Sequence, residues 1–138
     1  MKLSEYDNRP VRVTDRQGRT FEGIAKAFPS GYGPRTSGRE AECLRLGDVC
    51  LFEGDVEAVE ALMTFDEAVA AIPPGRYRHF KGNEYEVLAI ARHSETELPL
   101  VVYRMLYGDH GVWVRPADMW CETVTRDGHT FRRFERVE

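Results

Sequence analysis

The side chains best suited to chemistry in this chain lie in one stretch, HSETELPLVVYRMLYGDHGVWVRP, residues 93–116. It contains the bases His93, Arg104 and Arg115 and the indole of Trp113, and it has no lysine. Arginine carries a planar fork of N–H donors that matches carboxylate and phosphate oxygens. An indole offers a flat apolar wall beside such a fork. These residue types are typical of a site that binds a small anion.

Where these side chains point depends on how the two strands flanking Gly108–Gly111 pair. If the loop has an even length, Tyr107 pairs with Val112 and Arg104 pairs with Arg115. The core-facing side then carries Val101, Tyr103, Met105, Tyr107, Val112 and Val114. The opposite side carries Val102, Arg104, Leu106, Trp113 and Arg115. This register predicts two neighbouring arginines beside an indole, away from the core.

Two like charges directly opposite each other on a sheet repel, so the predicted arginine pair needs compensation. In one interpretation the charges are met by solvent or by a carboxylate of the same chain. The carboxylates considered are Glu84, Glu86, Glu95 and Glu122. In the other interpretation the pair forms a cationic cradle for an anionic ligand. The candidate ligand-binding residues are His93, Arg104, Trp113, Arg115, Tyr77 and Glu95. Tyr77 joins this set because it is predicted to lie opposite the apolar face.

Catalysis and metal binding are weaker interpretations. The segment HSET, residues 93–96, places a histidine beside a hydroxyl and a carboxylate. Neighbouring residues of an extended strand point in opposite directions, however, and no nucleophile elbow surrounds Ser94. His79 and Glu86 are predicted to face each other across a hairpin, but further ligands at metal-binding spacing are missing from the sequence. We therefore assign no catalytic residue and expect neither a metal nor a cofactor.

Composition and charge narrow the class of protein. The chain has 138 residues, is 42% hydrophobic and 30% charged, and is therefore typical of a folded protein with one ordinary domain or two very small ones. Its net charge is −4, with −4 in residues 1–72 and 0 in residues 73–138, which contain all 4 histidines. This balance disfavours nucleic-acid binding that depends on neutralising many phosphates.

Cysteine usage and the N-terminus bear on location. Cys43, Cys50 and Cys121 are odd in number and lack C-x-x-C spacing, which argues against a disulfide framework or a zinc site. The sequence MKLSEYDNRP has no apolar signal region, and no apolar run is long enough to span a membrane. We expect a cytoplasmic protein with no membrane partner. The oligomeric state is left open.

Both halves of the chain repeat one order of elements: hairpin, loop, hairpin, single helical turn, strand. The predicted tight turns are DRQGR (15–19), Gly47-Asp48, Gly82-Asn83 and Asp127-Gly128. Residues 29–40, rich in proline, glycine and hydroxyl groups, are predicted to form a loop. Thr64 and Glu67 form a capping box, and the Pro-Pro-Gly sequence at 73–75 stops the helix that they begin.

This order of elements is typical of SH3-like barrels. We predict a mainly β fold of two tandem small SH3-like barrels, residues 1–63 and 75–138, joined by one short linker helix over residues 64–74. The alternative is one continuous mixed sheet with the helix packed across it.

Four segments, YRHFKGNEYEV, ARHSET, PLVVYRMLYGD and GVWVRPADMWCETV, extend through residues 75–126. Through them this region resembles the bacterial family catalogued as domain of unknown function 1653. Trp120 stands where the family pattern has phenylalanine, and it keeps the aromatic bulk. The resemblance implies a fold and a site but no reaction. Residues 8–62 are weakly similar to Sm-like or SH3-like barrels through VRVTDRQGRTFEGIAKAF, with one glycine in the turn and another in the second strand.

The leading hypothesis is a non-enzymatic binding module for a small anionic ligand, a nucleotide or a peptide carboxylate. One alternative is single-stranded nucleic-acid (RNA) binding, with bases stacked on Trp113. A second alternative is a small enzyme that uses His93 with Glu95. A third is an interaction domain whose acidic first half docks a partner protein. The sequence does not decide among them.

Overall fold

The computed structural model of the chain describes residues 2–29 and 41–137, so residues 30–40 of the predicted loop lie outside the described residues. The chain forms two compact units. The first comprises Met1–Thr64 and Ser94–Leu98, and the second comprises Phe65–His93 and Pro99–Glu138. Strands dominate both units, which confirms the mainly β prediction. No described helix has the length and apolar character needed to cross a membrane.

The first unit contains two three-stranded antiparallel sheets. Its strands are β1 (Pro10–Asp15), β2 (Thr20–Ile24), β3 (Lys26–Phe28), β4 (Cys43–Leu46), β5 (Val49–Phe52) and β6 (Val56–Ala61), with 3-10 turns at Leu3–Tyr6 and Glu53–Asp55. The sheet orders are β2-β1-β6 and β3-β4-β5. Only Ala25 separates β2 from β3, so the chain passes directly from one sheet to the other. The buried core cluster consists of Leu3, Val11, Val13, Ala25, Leu44, Leu46, Leu51 and Val56.

The first hairpin is fixed by a buried carboxylate. Asp15 accepts hydrogen bonds from the backbone N–H groups of Gln17 and Arg19, each at 2.9 Å, and from Nε of Arg19 at 2.7 Å. Burial acts to raise the pKa of Asp15, but these hydrogen bonds and the Arg19 charge outweigh it and hold the pKa below its usual value. The predicted turn at residues 15–19 is confirmed. So is the two-residue turn Gly47-Asp48, because Leu46 pairs with Val49.

The second unit is built on one five-stranded antiparallel sheet. Its elements are α1 (Phe65–Ala71), β7 (Gly75–His79), β8 (Glu84–Arg92), β9 (Pro99–Met105), β10 (Val112–Pro116), α2 (Ala117–Trp120), β11 (Thr123–Arg126), β12 (His129–Arg132) and β13 (Phe134–Arg136). The sheet order is β10-β9-β8-β7-β13, and β11 and β12 form a separate hairpin. A helix was predicted over residues 64–74. The structure has α1 there and assigns it to the second unit.

Closed barrels were predicted, but among the described residues no sheet closes. Closure of the second sheet would require its edge strands, β10 and β13, to pair with each other. Instead β13, which has 3 residues, pairs with β7 alone. The alternative of one continuous sheet is also wrong, because the strands form four separate sheets.

The predicted register of the β9–β10 hairpin is wrong. Arg104 pairs with Val112, Trp113 with Tyr103, and Arg115 with Val101. The Met105 N–H donates to the Gly111 carbonyl at 2.9 Å, so the loop between them, 106–110, has an odd length. Gly108 and His110 both adopt positive φ angles, and the carboxylate of Asp109 accepts the Gly111 N–H at 2.9 Å. These features stabilise the longer loop and move the side chains of β10 to the other face relative to β9. Val101 and Tyr103 face the core as predicted, whereas Val112 and Val114 are exposed.

The β7–β8 hairpin departs from its predicted register in the same way. A two-residue turn at Gly82-Asn83 was expected, but the His79 N–H donates to the Asn83 carbonyl at 2.8 Å. Residues 80–82 therefore form the turn, and Gly82 adopts the positive φ of 109° that such a turn requires. His79 does not face Glu86, which pairs with Arg76. The predicted turn at Asp127-Gly128 is confirmed, since Arg126 pairs with His129.

Candidate functional site

The corrected register separates the two arginines that the sequence placed together. Side chains alternate between the faces of a strand, so Arg104, opposite Val112, and Arg115, opposite Val101, project from opposite faces of the sheet. Arg104 lies near Glu86, with Nη1 3.6 Å from Oε1. The double-arginine cradle is therefore wrong, and for Arg104 the interpretation of an internal ion pair is confirmed. This pair is partly exposed and contributes at most about 1 kcal/mol to stability.

Arg115 has a different environment. Its guanidinium carbon lies 5.5 Å from the ring centroid of Phe134. Phe134 belongs to β13, at the opposite edge of the five-stranded sheet, so the sheet is curled strongly enough for side chains of its two edge strands to meet. Across the part of the chain that the structure describes, no carboxylate lies within ion-pair distance of Arg115. The cation is held against an aromatic ring and not against an acid.

The ring under Arg115 is part of a packed aromatic layer. Phe134 is buried and stacks on Trp120, with centroids 3.7 Å apart and an interplanar angle of 3°. Trp120 also contacts Tyr77 edge-on at 5.6 Å and Tyr103 at 5.1 Å. Such packing fixes the ring positions, because each ring has neighbours on several sides. Arg115 therefore rests on a rigid surface.

Tyr77 belongs to this layer and not to an exposed face. It is buried, and its hydroxyl donates a hydrogen bond to the Pro73 carbonyl at 2.8 Å. It pairs with Tyr85, which places it on the inner face of the curled sheet. Its predicted position opposite the apolar face is wrong because the register of its hairpin differs from the expected one.

Two tyrosine hydroxyls lie at the edge of the layer. The Tyr85 and Tyr107 oxygens are 2.8 Å apart, and the Tyr85 ring meets Phe134 edge-on at 5.7 Å. Burial, followed by the hydrogen bond with Tyr107, raises the pKa of Tyr85 to about 12. The positive charge of Arg115 acts in the opposite direction on this pKa. Arg115 is therefore close enough to the tyrosine pair for its charge to act on the pKa of Tyr85.

His79 contributes an imidazole to the same surroundings. Its ring meets Phe134 edge-on at 4.9 Å, and its Nδ1 accepts the Lys81 N–H at 3.1 Å. Burial, then the charges of Arg133, Arg115 and Lys81, lower the pKa of His79. At neutral pH the imidazole is uncharged and lies in a positively charged environment.

Trp113 completes the surface. It lies on the same face as Arg115, the residue is 57% exposed, and its Nε1 donates a hydrogen bond to Sδ of Met105 at 2.9 Å. We call the residues around Arg115 the Arg115 surface. They are Arg115, Trp113, Phe134, Tyr85, Tyr107 and His79. The surface combines a guanidinium that has no acidic partner within residues 2–29 and 41–137 with an exposed indole, two hydroxyls and a neutral imidazole.

Of the six candidates from the sequence, Trp113 and Arg115 remain together. Arg104 projects from the other face, and Tyr77 is in the core. His93 directly follows β8 in the second unit, whereas Glu95 belongs to the first unit. There Glu95 lines a pocket of about 360 Å³ with Glu22, Arg45 and other residues.

Phe134, the residue that holds Arg115, was not found from the sequence. It sits in the segment FRRFERV, which has no motif, and its position depends on pairing with His79, which is far away in sequence. Tyr107 was predicted to face the core, and Tyr85 was not among the candidate ligand-binding residues. The one available signal was the pairing of β8 with β9, which places Tyr85 opposite Met105 and close to the loop that carries Tyr107.

Another pocket lies in the first unit and has a volume of about 350 Å³. It is lined by Asp15, Arg16, Arg19, Asp55 and others, but the Asp15 carboxylate is already bound by its own hairpin. Within residues 2–29 and 41–137, no three metal-binding side chains lie close enough to hold an ion.

The tyrosine pair gives a direct test of this geometry. In the wild type we expect Tyr85 to titrate near pH 12. In Tyr107→Phe its pKa should fall, because the hydrogen bond that favours the neutral phenol is lost, but stay above 10 because burial persists. The pKa of Tyr85 is higher in the folded than in the unfolded chain. Its contribution to the free energy of unfolding is therefore fully present below pH 10 and is lost as the pH rises toward 12. NMR titration of the ring carbons measures the pKa, and an unchanged value in Tyr107→Phe would contradict the contact.

Taken together, the second unit is a small β domain with an open, curled antiparallel sheet and a cationic aromatic surface between its edge strands. Residues 75–136 match the family described as "Protein of unknown function (DUF1653)". This part of the chain belongs to that family, which confirms the resemblance found in the sequence.

One solved structure similar to the chain is the crystal structure of a DUF1653 protein from Bordetella bronchiseptica. It is 38% identical, the match covers 50% of this chain and 91% of that one, and the TM-score is 0.46. Among curated proteins none matches. The similarity of residues 8–62 to Sm-like barrels stays a prediction.

Proposed function

We propose that the second unit is a non-enzymatic binding module for a small anionic ligand, and that the Arg115 surface is its binding site. The observation that carries the proposal is the position of Arg115: it lies against Phe134 with no acidic partner among the described residues. A guanidinium has five N–H donors, and a ring face satisfies none of them fully. The site therefore has donors to offer to a carboxylate or phosphate.

The neighbours of Arg115 indicate which ligands fit. Trp113 provides an exposed ring for a planar body, and the Tyr85–Tyr107 pair provides hydroxyls for further hydrogen bonds. His79 is neutral at physiological pH and adds a polar group without adding charge. Nucleoside monophosphates and aromatic carboxylates combine one anionic group with one planar body, so we expect these classes to bind.

Calorimetric titration with a nucleoside monophosphate, an aromatic carboxylate and inorganic phosphate tests the proposal. Loss of a hydrogen bond to a charged group costs about 1.5–3 kcal/mol, so Arg115→Ala should weaken binding by roughly 10–100-fold. Arg104→Ala is the matched control, because it removes the same side chain from a neighbouring strand and the opposite face. We expect the control to bind like the wild type.

Three results would overturn the proposal. They are an absence of binding by every probe, equal losses in the two arginine variants, and full binding by Arg115→Ala. If inorganic phosphate binds as tightly as the ligands that also carry a planar ring, Arg115 belongs to the binding site and Trp113 does not.

Single-stranded nucleic acid is the second candidate, and the 57% exposure of Trp113 beside Arg115 favours it. Bases stack on exposed aromatic rings, and each such stack contributes about 1–3 kcal/mol. Binding of short RNA should then weaken steeply with salt in proportion to the phosphates contacted. If only one phosphate is contacted, the binding constant changes little with salt concentration. That result favours a small anionic ligand over nucleic acid.

A further inference from the structure

Strand β10 is an edge strand with an unusually apolar, exposed surface. Within the described chain its strand partner is β9 alone. Val112, Trp113 and Val114 are 51%, 57% and 57% exposed, and they come from both faces of the strand. Edge strands of soluble proteins are usually protected by charges, bulges or covering segments, since they invite pairing with another strand. This edge carries three consecutive apolar residues.

The pattern of hydrogen bonds identifies which backbone groups face outward. The Met105 N–H donates to the Gly111 carbonyl, and these two residues are opposite each other, so Gly111 belongs to a hydrogen-bonded pair. Such pairs alternate along an antiparallel ladder, so Trp113 and Arg115 also bond to β9. Val112, Val114 and Pro116 therefore direct their backbone groups away from β9. Proline, which has no N–H, stands at an outward position, as expected for an edge.

We propose that a second copy of this chain pairs with β10 in antiparallel orientation, with the two-fold axis at Val114. This register places Val114 opposite its own counterpart and Val112 opposite Pro116 of the second copy. Proline has no N–H, so each Val112–Pro116 pair forms one backbone hydrogen bond and not two. It also places Trp113 directly opposite Arg115 of the second copy, and the symmetry forms this pair twice. The edge is thus self-complementary, which a symmetric dimer interface requires.

Side-chain chemistry selects this register over its neighbours. Shifting the axis to Arg115 places two guanidinium groups opposite each other, which is repulsive. Shifting it to Trp113 places the two indoles together and leaves Arg115 opposite Gly111, so both cation–π pairs are lost. With the axis at Val114, the side chains of Val112, Val114 and Pro116 of both copies also form a continuous apolar patch. This patch lies on the face of the sheet opposite the Arg115 surface.

The interface is short, since β10 has 5 residues. Stable dimers usually bury about 1,200–2,000 Å² in total, so we expect an association that dissociates on dilution. This inference goes beyond the proposed function and does not rest on it, but both proposals use Trp113 and Arg115, so dimer formation and anion binding compete for these two side chains. Val114 is on the opposite face from the Arg115 surface.

Sedimentation equilibrium over a concentration series tests the proposal. The wild type should shift from monomer to dimer as its concentration rises. Val114→Lys places like charges opposite each other at the axis and should stay monomeric at every concentration. Ala89→Lys is the matched control, because Ala89, Val102 and Val114 lie in one row of the same face and Ala89 is exposed. This control should dimerise like the wild type.

A wild type that stays monomeric throughout, a dimer that survives Val114→Lys, or a loss of dimer in both lysine variants would each overturn the proposal. Circular dichroism should give the same spectrum for all three proteins, since both substituted positions are exposed. Anion binding by Val114→Lys distinguishes the two proposals. If the monomeric variant still binds the calorimetric probes, the ligand site stands independently of the dimer.

Discussion

Replacing Trp120 by alanine should lower the free energy of unfolding by about 3–5 kcal/mol, the usual cost of deleting a large buried aromatic side chain. Trp120 is 2% exposed and stacks on Phe134 at 3.7 Å. Its removal leaves a cavity between Phe134, Tyr77 and Tyr103 that these rings cannot fill without leaving their rotamers. Urea denaturation followed by circular dichroism measures the loss.

The other tryptophan is the control for this prediction. Trp113→Ala deletes the same side chain from an exposed position, so its effect on stability should stay within about 0.5–1 kcal/mol. Trp120→Phe keeps an aromatic ring at the stack and should cost less than Trp120→Ala. Equal losses in Trp120→Ala and Trp113→Ala would contradict the packing described for the second unit.

The loss at Trp120 should also reach the Arg115 surface. Phe134 stacks on Trp120 and also contacts the Arg115 guanidinium, so a displaced Phe134 changes the contact that holds Arg115. Trp120→Ala is therefore expected to weaken binding of the anionic probes under conditions where it is still folded. Trp120→Phe should preserve binding.

Leu44→Ala should have the second largest effect, a loss of about 2–5 kcal/mol in the free energy of unfolding. Leu44 is fully buried, lies opposite Leu51 in the β4–β5 hairpin, and belongs to the core cluster of the first unit. That core is small, so one missing side chain is a large part of its apolar contact. The midpoint of urea denaturation should fall accordingly.

Ile24→Ala is the matched control within the first unit. It removes the same number of carbon atoms as Leu44→Ala, but Ile24 is 36% exposed. Its cost should be under about 1 kcal/mol, because part of the side chain already contacts water. A cost at Ile24 equal to that at Leu44 would indicate that the core is not where the structure places it.

Local sequence signals predicted most of the elements. The turns at residues 15–19, Gly47-Asp48 and Asp127-Gly128 were correct because glycine and aspartate favour those backbone angles whatever surrounds them. The helix after Thr64 was correct because its cap and its proline stop are both local. For Arg104 the sequence was compatible both with an ion pair inside the chain and with a ligand-binding role, and it did not distinguish the two.

In both hairpins of the second unit, the predicted face of one strand relative to its partner was wrong for one reason. Side chains alternate with a period of two, so a change from an even to an odd loop length moves every residue of one strand to the other face relative to its partner. In the β9–β10 loop the length is set by Gly108, His110 and the Asp109 side chain acting together. The glycines in this segment do not by themselves specify how many residues the loop contains.

Three features were predictable without coordinates. They are a mainly β chain, the family resemblance of residues 75–126, and the placement of Trp113 and Arg115 on one face, since residues two apart share a face in any register. The residues that lie beside Trp113 and Arg115 depend on long-range packing. Curling of the sheet brings Phe134 to Arg115 from the other edge strand, and no local pattern specifies a meeting between strands that do not hydrogen-bond to each other. Local preferences fix strands and turns, whereas long-range packing fixes which strands meet.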